Sequence, residues 1–353
     1  MIWRYMSRDP SVILYAPNIH QGGGKTLLLA LLQECGSDIV LCIDQRLQLP
    51  KNFEYSSNIH RVSPGLISRF MAEIWLLRFV IKKDLVICFG NLPPFFRLSC
   101  YTKVFLQNRY LVENLSLSGF SIATYLRLVI QRSLFDIKCR NADQFIVQTP
   151  SMEKLLISKF QDNISTIMLP FVAGKASYSR ELKYSEILNY HEYDFLYVAS
   201  GEPHKNHEAL ISAWGLLADE NLYPTLCLTL DESAALSLFQ KFNYIENLKI
   251  YNTGPLSHDD VLLLYHKSRA LIFPSKLESL GLPLIEARRI GLPILAPELD
   301  YVRDVLDPDE VFDPNSPVSI ARAVKRFLGI DQPPLPLVSA KQFFVDITKR
   351  DVF

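Results

Sequence analysis

Two carboxylates, Glu278 and Glu286, stand either side of Gly281-Leu282-Pro283 in the run from Phe273 to Ala287. Leu271-Ile272-Phe273 is a short apolar stretch stopped by Pro274, as a buried parallel strand would be. Gly281 permits an unusual backbone angle, and Pro283 suits a first helical position, where its missing N–H leaves nothing unpaired. The helix would run on through Ala287, close at Gly291 and lead into a strand from Leu292 to Ala296. Free N–H groups at such a helix start form an anion site, here the backbone of Leu280, Gly281 and Leu282. A carboxylate beside a bound phosphate would be repelled, so the two glutamates suit hydroxyl recognition, each accepting from a ribose or a hexose. Local chemistry alone weighs that reading evenly against two surface glutamates around an ordinary strand–helix turn.

Other groups bear on the same question. Gly22-Gly23-Gly24-Lys25-Thr26 invites a phosphate-loop reading, yet that pattern needs a glycine where Ile19 stands. Three consecutive glycines still let a backbone approach a ligand closely, which a simple strand–helix turn would not require. Lys205 follows an apolar strand at Phe195 to Val198. Its neighbours His204 and His207 lack the cysteine or carboxylate partners of a zinc site. Asp307-Pro308-Asp309 has the spacing of a metal-binding carboxylate pair but sits in a proline turn, which favours a solvated loop. No metal and no resident cofactor are expected. Gln107, Asn108 and Arg109 follow a strand, Val104 to Leu106, and are candidates to face an acceptor substrate, with a structural role equally open.

The elements that must position these groups alternate. Val12–Tyr15, Asp38–Ile43, Asp84–Phe89, Val104–Leu106 and Phe145–Gln148 read as strands. Lys25–Gln33 and a stretch opened by Ser151 as N-cap read as helices, and Met168–Phe171 closes the half. A second alternation starts at Phe195. The expectation is an α/β chain of two doubly wound parallel sheets, which 353 residues can accommodate. The domains would span 1–175 and 194–335, with a linker at 176–193 and a helical tail at 336–353. Six scattered cysteines without a CxxC spacing exclude a disulfide framework and fit a reducing compartment. Met1 to Asp9 carries no apolar signal core, and no apolar run is long enough to span a bilayer, so a cytoplasmic protein is expected. Zero net charge hides a split: residues 1–175 carry +8 and residues 176–353 carry −8. A basic half suits an anionic membrane surface or a pyrophosphate-bearing acceptor, and nothing in the chain points to nucleic acid. Leu66 to Lys83 combines Ile67, Phe70, Met71 and Trp75 with Arg69, Arg78, Lys82 and Lys83. It could lie at a membrane interface, although packing on a central sheet is the stronger reading.

The segment from Phe273 to Ala287 resembles the signature of glycosyltransferase family 4, the retaining group 1 glycosyltransferases of GT-B fold. It has a strand ending in Pro-Ser, then two glutamates separated by seven residues across Gly-Leu-Pro. Three further segments resemble the family in the same order: Phe195–Val198 with Lys205-Asn206-His207, Tyr251–Pro255 with Asp260 to Tyr265, and Val311–Pro317 with Ile320 to Phe327. The resemblance implies two Rossmann-like domains facing across a cleft, with a nucleotide-diphosphate sugar held by the carboxyl half. Lys205 would neutralise the diphosphate, Glu286 bind the ribose and Glu278 the transferred sugar, Lys205 and Glu278 being the catalytic pair. Gly22, Gly23, Gly24, Gly254, Leu280, Gly281 and Leu282 would lend backbone to the donor. The family also has an arginine where Ser200 stands, so one cation is missing, and Ser200 or helix N-termini must substitute. The departing phosphate oxygen would deprotonate the acceptor. That acceptor is expected to be a lipid-linked glycan of bacterial surface polysaccharide or O-antigen synthesis, met by Asn108 and Arg109. A GT-B-shaped partner-binding subunit without activity is the alternative from another class, and a P-loop phosphotransferase is the third, disfavoured by Ile19.

Overall fold

A computed structural model describes residues 11–35, 39–50, 53, 58–115, 117, 119–161, 164–171, 191–242 and 245–330. The amino half is built on seven strands: β1 (Val12–Ala16), β2 (Val40–Asp44), β3 (Ile59–Val62), β4 (Leu85–Cys88), β5 (Tyr101–Phe105), β6 (Gln144–Val147) and β7 (Thr166–Met168). All pair in parallel, in the order β3-β2-β1-β4-β5-β6-β7. The runs Val-Ile-Leu-Tyr-Ala and Val-Leu-Cys-Ile-Asp are apolar without alternation because their strands are covered on both faces. Helix α1 (Gly22–Glu34) packs Leu27, Leu28 and Leu32 on one face of the sheet. Helices α2 (Leu66–Phe79), α3 (Ile122–Lys138) and α4 (Pro150–Phe160) share the other, through Ala72, Leu76, Phe135, Met152 and Leu156.

The carboxyl half repeats the plan with β8 (Tyr193–Tyr197), β9 (Leu226–Leu228), β10 (Ile250–Asn252), β11 (Ser268–Ile272), β12 (Ile294–Pro297) and β13 (Glu310–Phe312). Their order is β10-β9-β8-β11-β12-β13, again parallel. Around them lie α5 (His207–Asp219), α6 (Glu232–Phe239), α7 (His258–His266), α8 (Leu282–Arg289), α9 (Asp300–Arg303) and α10 (Pro317–Phe327). Trp214 of α5 is fully buried against Phe195, and its indole N–H donates to the Pro224 carbonyl at 2.8 Å, so its one polar atom is satisfied in the core. In each sheet the strand order reverses beside the first strand, at β1/β4 and at β8/β11. Loops leaving the carboxyl ends of these strands part there and leave a crevice, the usual ligand position in such sheets.

The expected alternation is therefore present, with local corrections. Helix α1 begins at Gly22, so the three glycines form its first turn and not a loop before it. Thr149, not Ser151, caps α4. Its hydroxyl accepts from the Met152 N–H at 3.3 Å, and Pro150 opens the helix because a first-turn residue needs no N–H donor. The Ser151 N–H is left to donate across to Asp304 of the carboxyl half, at 3.2 Å. Strand β5 starts at Tyr101, three residues before the apolar run, because its ladder with β4 pairs Leu85 with Tyr101. Helix α2 stops at Phe79, leaving Lys82 and Lys83 in the following turn. Asp38, residues 1–9, nearly all of the expected linker and the 336–353 tail lie outside the described residues. All six cysteines are free, and no helix among the described residues is long and apolar enough to cross a membrane.

One side chain ties the carboxyl half's loops together. Asn206, at φ +62°, is buried, and its amide donates to the carbonyls of Pro274 (3.1 Å) and Pro314 (2.7 Å). Asparagine tolerates this left-handed backbone better than most residues and here supplies two donors as well. Asn206→Ala is expected to lower stability by roughly 2–4 kcal/mol, since two buried carbonyls lose their partners and alanine is strained at this φ. Denaturant unfolding of both proteins measures it, and an unchanged midpoint would show that the three loops hold without the amide.

Candidate active site

The strand ends at the β8/β11 reversal carry the chemistry. After β8 the chain turns at Ser200 and enters a short 3-10 turn, Pro203–Lys205. The buried Tyr197 hydroxyl donates to the Lys205 carbonyl at 2.7 Å and fixes the lysine's backbone. After β11 the chain runs through Ser275, whose hydroxyl donates within the loop and whose carbonyl accepts from Tyr301 at 2.7 Å. The Lys276 N–H donates to the His204 carbonyl at 2.8 Å, so the two loops are bonded to each other. Gly281 then opens α8 at φ +70°, where an added Cβ would lie 3.0 Å from Leu284. Both the backbone angle and the space select glycine.

This framework brings Lys205 and Glu278, 73 residues apart, into contact: Nζ donates to Oε1 at 2.6 Å, both side chains about one-sixth exposed (16% and 14%). Glu286, one turn into α8, is placed differently. It accepts from the Tyr265 hydroxyl at 2.9 Å and lies 3.8 Å from His258. Burial pushes its carboxyl above the usual carboxylate range, against the opposing pull of His258 and the Tyr265 hydrogen bond. The glutamates thus face one cleft with distinct partners. Tyr265 and His258 carried no sequence signal, because their relevance depends on α7 lying beside α8.

Opposite stands the start of α1. A Cβ on Gly23 would lie 3.4 Å from Leu282, so the glycine turn meets the amino end of α8 across the cleft. Between them lies a space of about 1620 Å³, larger than the roughly 300–1,000 Å³ of a drug-sized pocket and able to hold two substrates. Of the expected donor residues, Gly22, Gly23, Gly24, Ser200, Lys205, Glu278, Leu280, Gly281, Leu282 and Glu286 all line it. Gly254 does not; at φ +76° it turns the chain so that Pro255 to Asp259 do. Lys25, Arg109 and Lys205 are the lysines and arginines of this lining. Ser200 hydrogen-bonds the carboxylate of Glu202, so the loop holds an acid near the position where an arginine was looked for.

Asn108 and Arg109 reach the amino wall of the cleft, but both are engaged. The Asn108 side chain caps the turn at Tyr110 (3.0 Å), and Arg109 pairs with Glu113. Gln107 is the less committed neighbour, its Nε2 buried without a partner among the described residues. Asn91, at φ +70°, accepts from the N–H groups of Gln107 (2.6 Å) and Asn108 (2.9 Å) and so aims this segment. Tyr110 packs edge-on against His204 of the opposite half, and burial followed by the nearby Glu278 charge pushes its phenol up to about 12. His207 lies against the Tyr197 ring, and burial lowers its pKa to about 4. Asp307 pairs with Arg303 (2.7 Å), and Asp309 accepts from the Ile294 N–H (2.7 Å). Both carboxylates of the Asp-Pro-Asp turn are engaged within the fold, and no cluster of three or more His, Cys, Asp or Glu placed to hold a metal occurs among the described residues.

Residues 180–336 match the family described as glycosyl transferases group 1. The chain as a whole superposes on sucrose-phosphate synthase from Thermosynechococcus elongatus with a TM-score of 0.64, at 16% identity and over 91% of this chain and 90% of that one. The carboxyl half thus matches the group 1 glycosyltransferases, and the chain as a whole has a GT-B fold. Over 140 residues it is 32% identical to the serotype-specific mannosyltransferase WbdA of Escherichia coli, covering 38% of this chain and 17% of that protein. It is also 23% identical to the O-antigen chain mannosyltransferase RfbU of Salmonella typhimurium, over 78% of this chain and 74% of the relative. The chain thus spans less than a fifth of WbdA's length. The group 1 match falls on the half that holds Lys205, Glu278 and Glu286.

Glu286 supplies a pH test of this geometry. Its folded pKa lies above the unfolded value of about 4.3, so the stability it contributes is complete below that pH and is lost as pH rises through the folded pKa. Glu286→Gln keeps an acceptor for Tyr265 but removes the buried charge. The variant is expected to melt higher than the parent at pH 7 and alike at pH 4. A difference independent of pH would show that the carboxylate is not penalised by burial.

Proposed function

We propose that the chain is a retaining, metal-independent glycosyltransferase that moves a sugar from a nucleotide-diphosphate donor to a glycan acceptor. The observation that carries this reading is the convergence of Lys205, Glu278 and Glu286 at the β8/β11 reversal, with a glycine turn facing them across the cleft. Lys205 offers the positive charge for the diphosphate, and the N–H groups of the first turn of α8 add to it. Glu286 accepts from the ribose and Glu278 from the transferred sugar. A departing phosphate oxygen, held by Lys205, takes the acceptor proton on the same face, so no separate general base is needed. The mannosyltransferase relatives support mannose as the transferred sugar and a bacterial surface polysaccharide as the product. The +8 amino half supports work at the inner face of the cell membrane, on a lipid-linked acceptor.

The Lys205–Glu278 contact sharpens the reading. In the donor-free protein the lysine is neutralised by the very carboxylate that would hold the sugar, so donor binding must redirect it. Glu278→Gln is therefore expected to bind nucleoside diphosphate at least as tightly as the parent while turning over at least about tenfold more slowly, losing roughly 1.5–3 kcal/mol of charged hydrogen bonding. Lys205→Ala is expected to weaken diphosphate binding by a similar factor. Calorimetry with nucleoside diphosphates, beside transfer or slow hydrolysis from a panel of nucleotide sugars including mannose donors, measures both. Unchanged turnover in Glu278→Gln, or unchanged affinity in Lys205→Ala, would move the donor elsewhere. No response to any nucleotide sugar would favour a non-catalytic binding subunit.

A further inference from the structure

Helix α3 presents a stripe that no described residue covers. Ile122, Tyr125, Leu126, Val129, Ile130 and Ile137 follow helical spacing along one face and are all exposed, Ile122 by 80% and Ile137 by 69%, while Leu128 and Phe135 alone are buried. The stripe is continuous with a second apolar surface. Lys138, at its end, lies 4.2 Å from the Phe95 ring, and Phe95 packs on Phe70 of α2, beside exposed Ile67, Met71 and Leu77. Patches of this extent on a soluble protein mark interaction sites.

Two observations say what covers it. The first is charge. Helices α2 and α3 hold one acid each, and neither acid offers a bare charge: Glu73 is turned inward to accept from Tyr15, and Asp136 is paired with Lys159. Arg127 and Arg140 are exposed on α3 and just after it, and Arg78, Lys82 and Lys83 are exposed on α2 and just after it. The second is position. Phe120, two residues before the stripe, packs against Tyr110 and His204 in the cleft, and Gly119 lies against Pro203 of the carboxyl half. The stripe thus starts beside the cleft, and from Ile122 to Ile137 it spans about 23 Å of helix.

We propose that the outward face of α3, extended by α2, docks on an anionic lipid bilayer and sets the cleft mouth at its surface. Apolar side chains enter the headgroup boundary while the flanking cations meet lipid phosphates, as interfacial helices do. An acceptor whose lipid stays in the bilayer would then present its sugar to the cleft beside Gln107. The inference adds an acceptor-side surface to the proposed transferase and needs no donor to be tested.

The full chain is sedimented with phosphatidylcholine vesicles, with and without phosphatidylglycerol, across a salt series. Compared with it are Ile122→Ser/Leu126→Ser/Ile130→Ser and Arg127→Glu/Arg140→Glu, all on exposed positions, with melting and nucleoside diphosphate affinity followed on the same samples. The expected result is salt-sensitive binding to anionic vesicles alone, weakened more than tenfold in each variant, with melting and diphosphate affinity unchanged. Absence of binding by the parent, or binding by both variants as tight as the parent's, would overturn the proposal. So would a parent that self-associates in light scattering and becomes monomeric in the serine variant while its vesicle binding persists, since a second copy would then be the occupant. Lost diphosphate affinity in the parent would count against the transferase reading and not against the docking surface.

Discussion

The carboxyl half's site depends on one buried amide. Asn206 holds the carbonyls of Pro274 and Pro314, so the loops after β8, β11 and β13 are tied to one another. The residue beside it, Lys205, is thereby fixed within hydrogen-bond range of Glu278. A lysine on a long flexible stem would otherwise sample many positions, at an entropic cost of up to about 2 kcal/mol on ordering. Here the backbone is ordered by folding, through Asn206 and the Tyr197 hydroxyl, before any ligand arrives.

Charge is the second organising constraint. To serve the proposed transfer the site would have to attract a diphosphate, yet Glu202, Glu278 and Glu286 stand in or near the cleft. It manages this by giving each acid a local partner: a hydroxyl for Glu202, a cation for Glu278, a phenol and an imidazole for Glu286. The attraction then rests on Lys205, on helix starts and on Lys25 of the opposite wall, with no arginine in the loop after β8. Over the whole molecule the same separation recurs, with a basic amino half and an acidic carboxyl half meeting at the cleft. An α3 surface free of unpaired acid extends the basic half's character to the outside of the molecule.

Much of this architecture was legible in the chain. Continuous apolar runs such as Ile13–Ala16 and Val40–Ile43, short and separated by helical stretches, suit strands buried on both faces, which favours parallel sheets with helices on either side. The turn at Gly281 and the proline after it were equally plain, because a positive φ and a missing N–H are properties of single residues. Boundaries were less plain. Thr149 outranks Ser151 as a cap because Pro150 takes the first helical position, and β5 begins in polar residues because its neighbours' ladders extend it.

The sequence by itself determined the fold class, the glycine turn that opens α8 and the residue types around it, since these follow from local periodicity and backbone chemistry. Only the tertiary structure decided that Lys205 meets Glu278, that Tyr265 and His258 serve Glu286, and that Asn108 and Arg109 are already engaged while Gln107 is not. It also revealed that α3 turns most of its apolar residues away from the sheet, which helical period alone cannot tell because it does not say which face is covered. Contacts between residues dozens of positions apart are set by how strands stack and loops are tied, and no short stretch of chain carries that information.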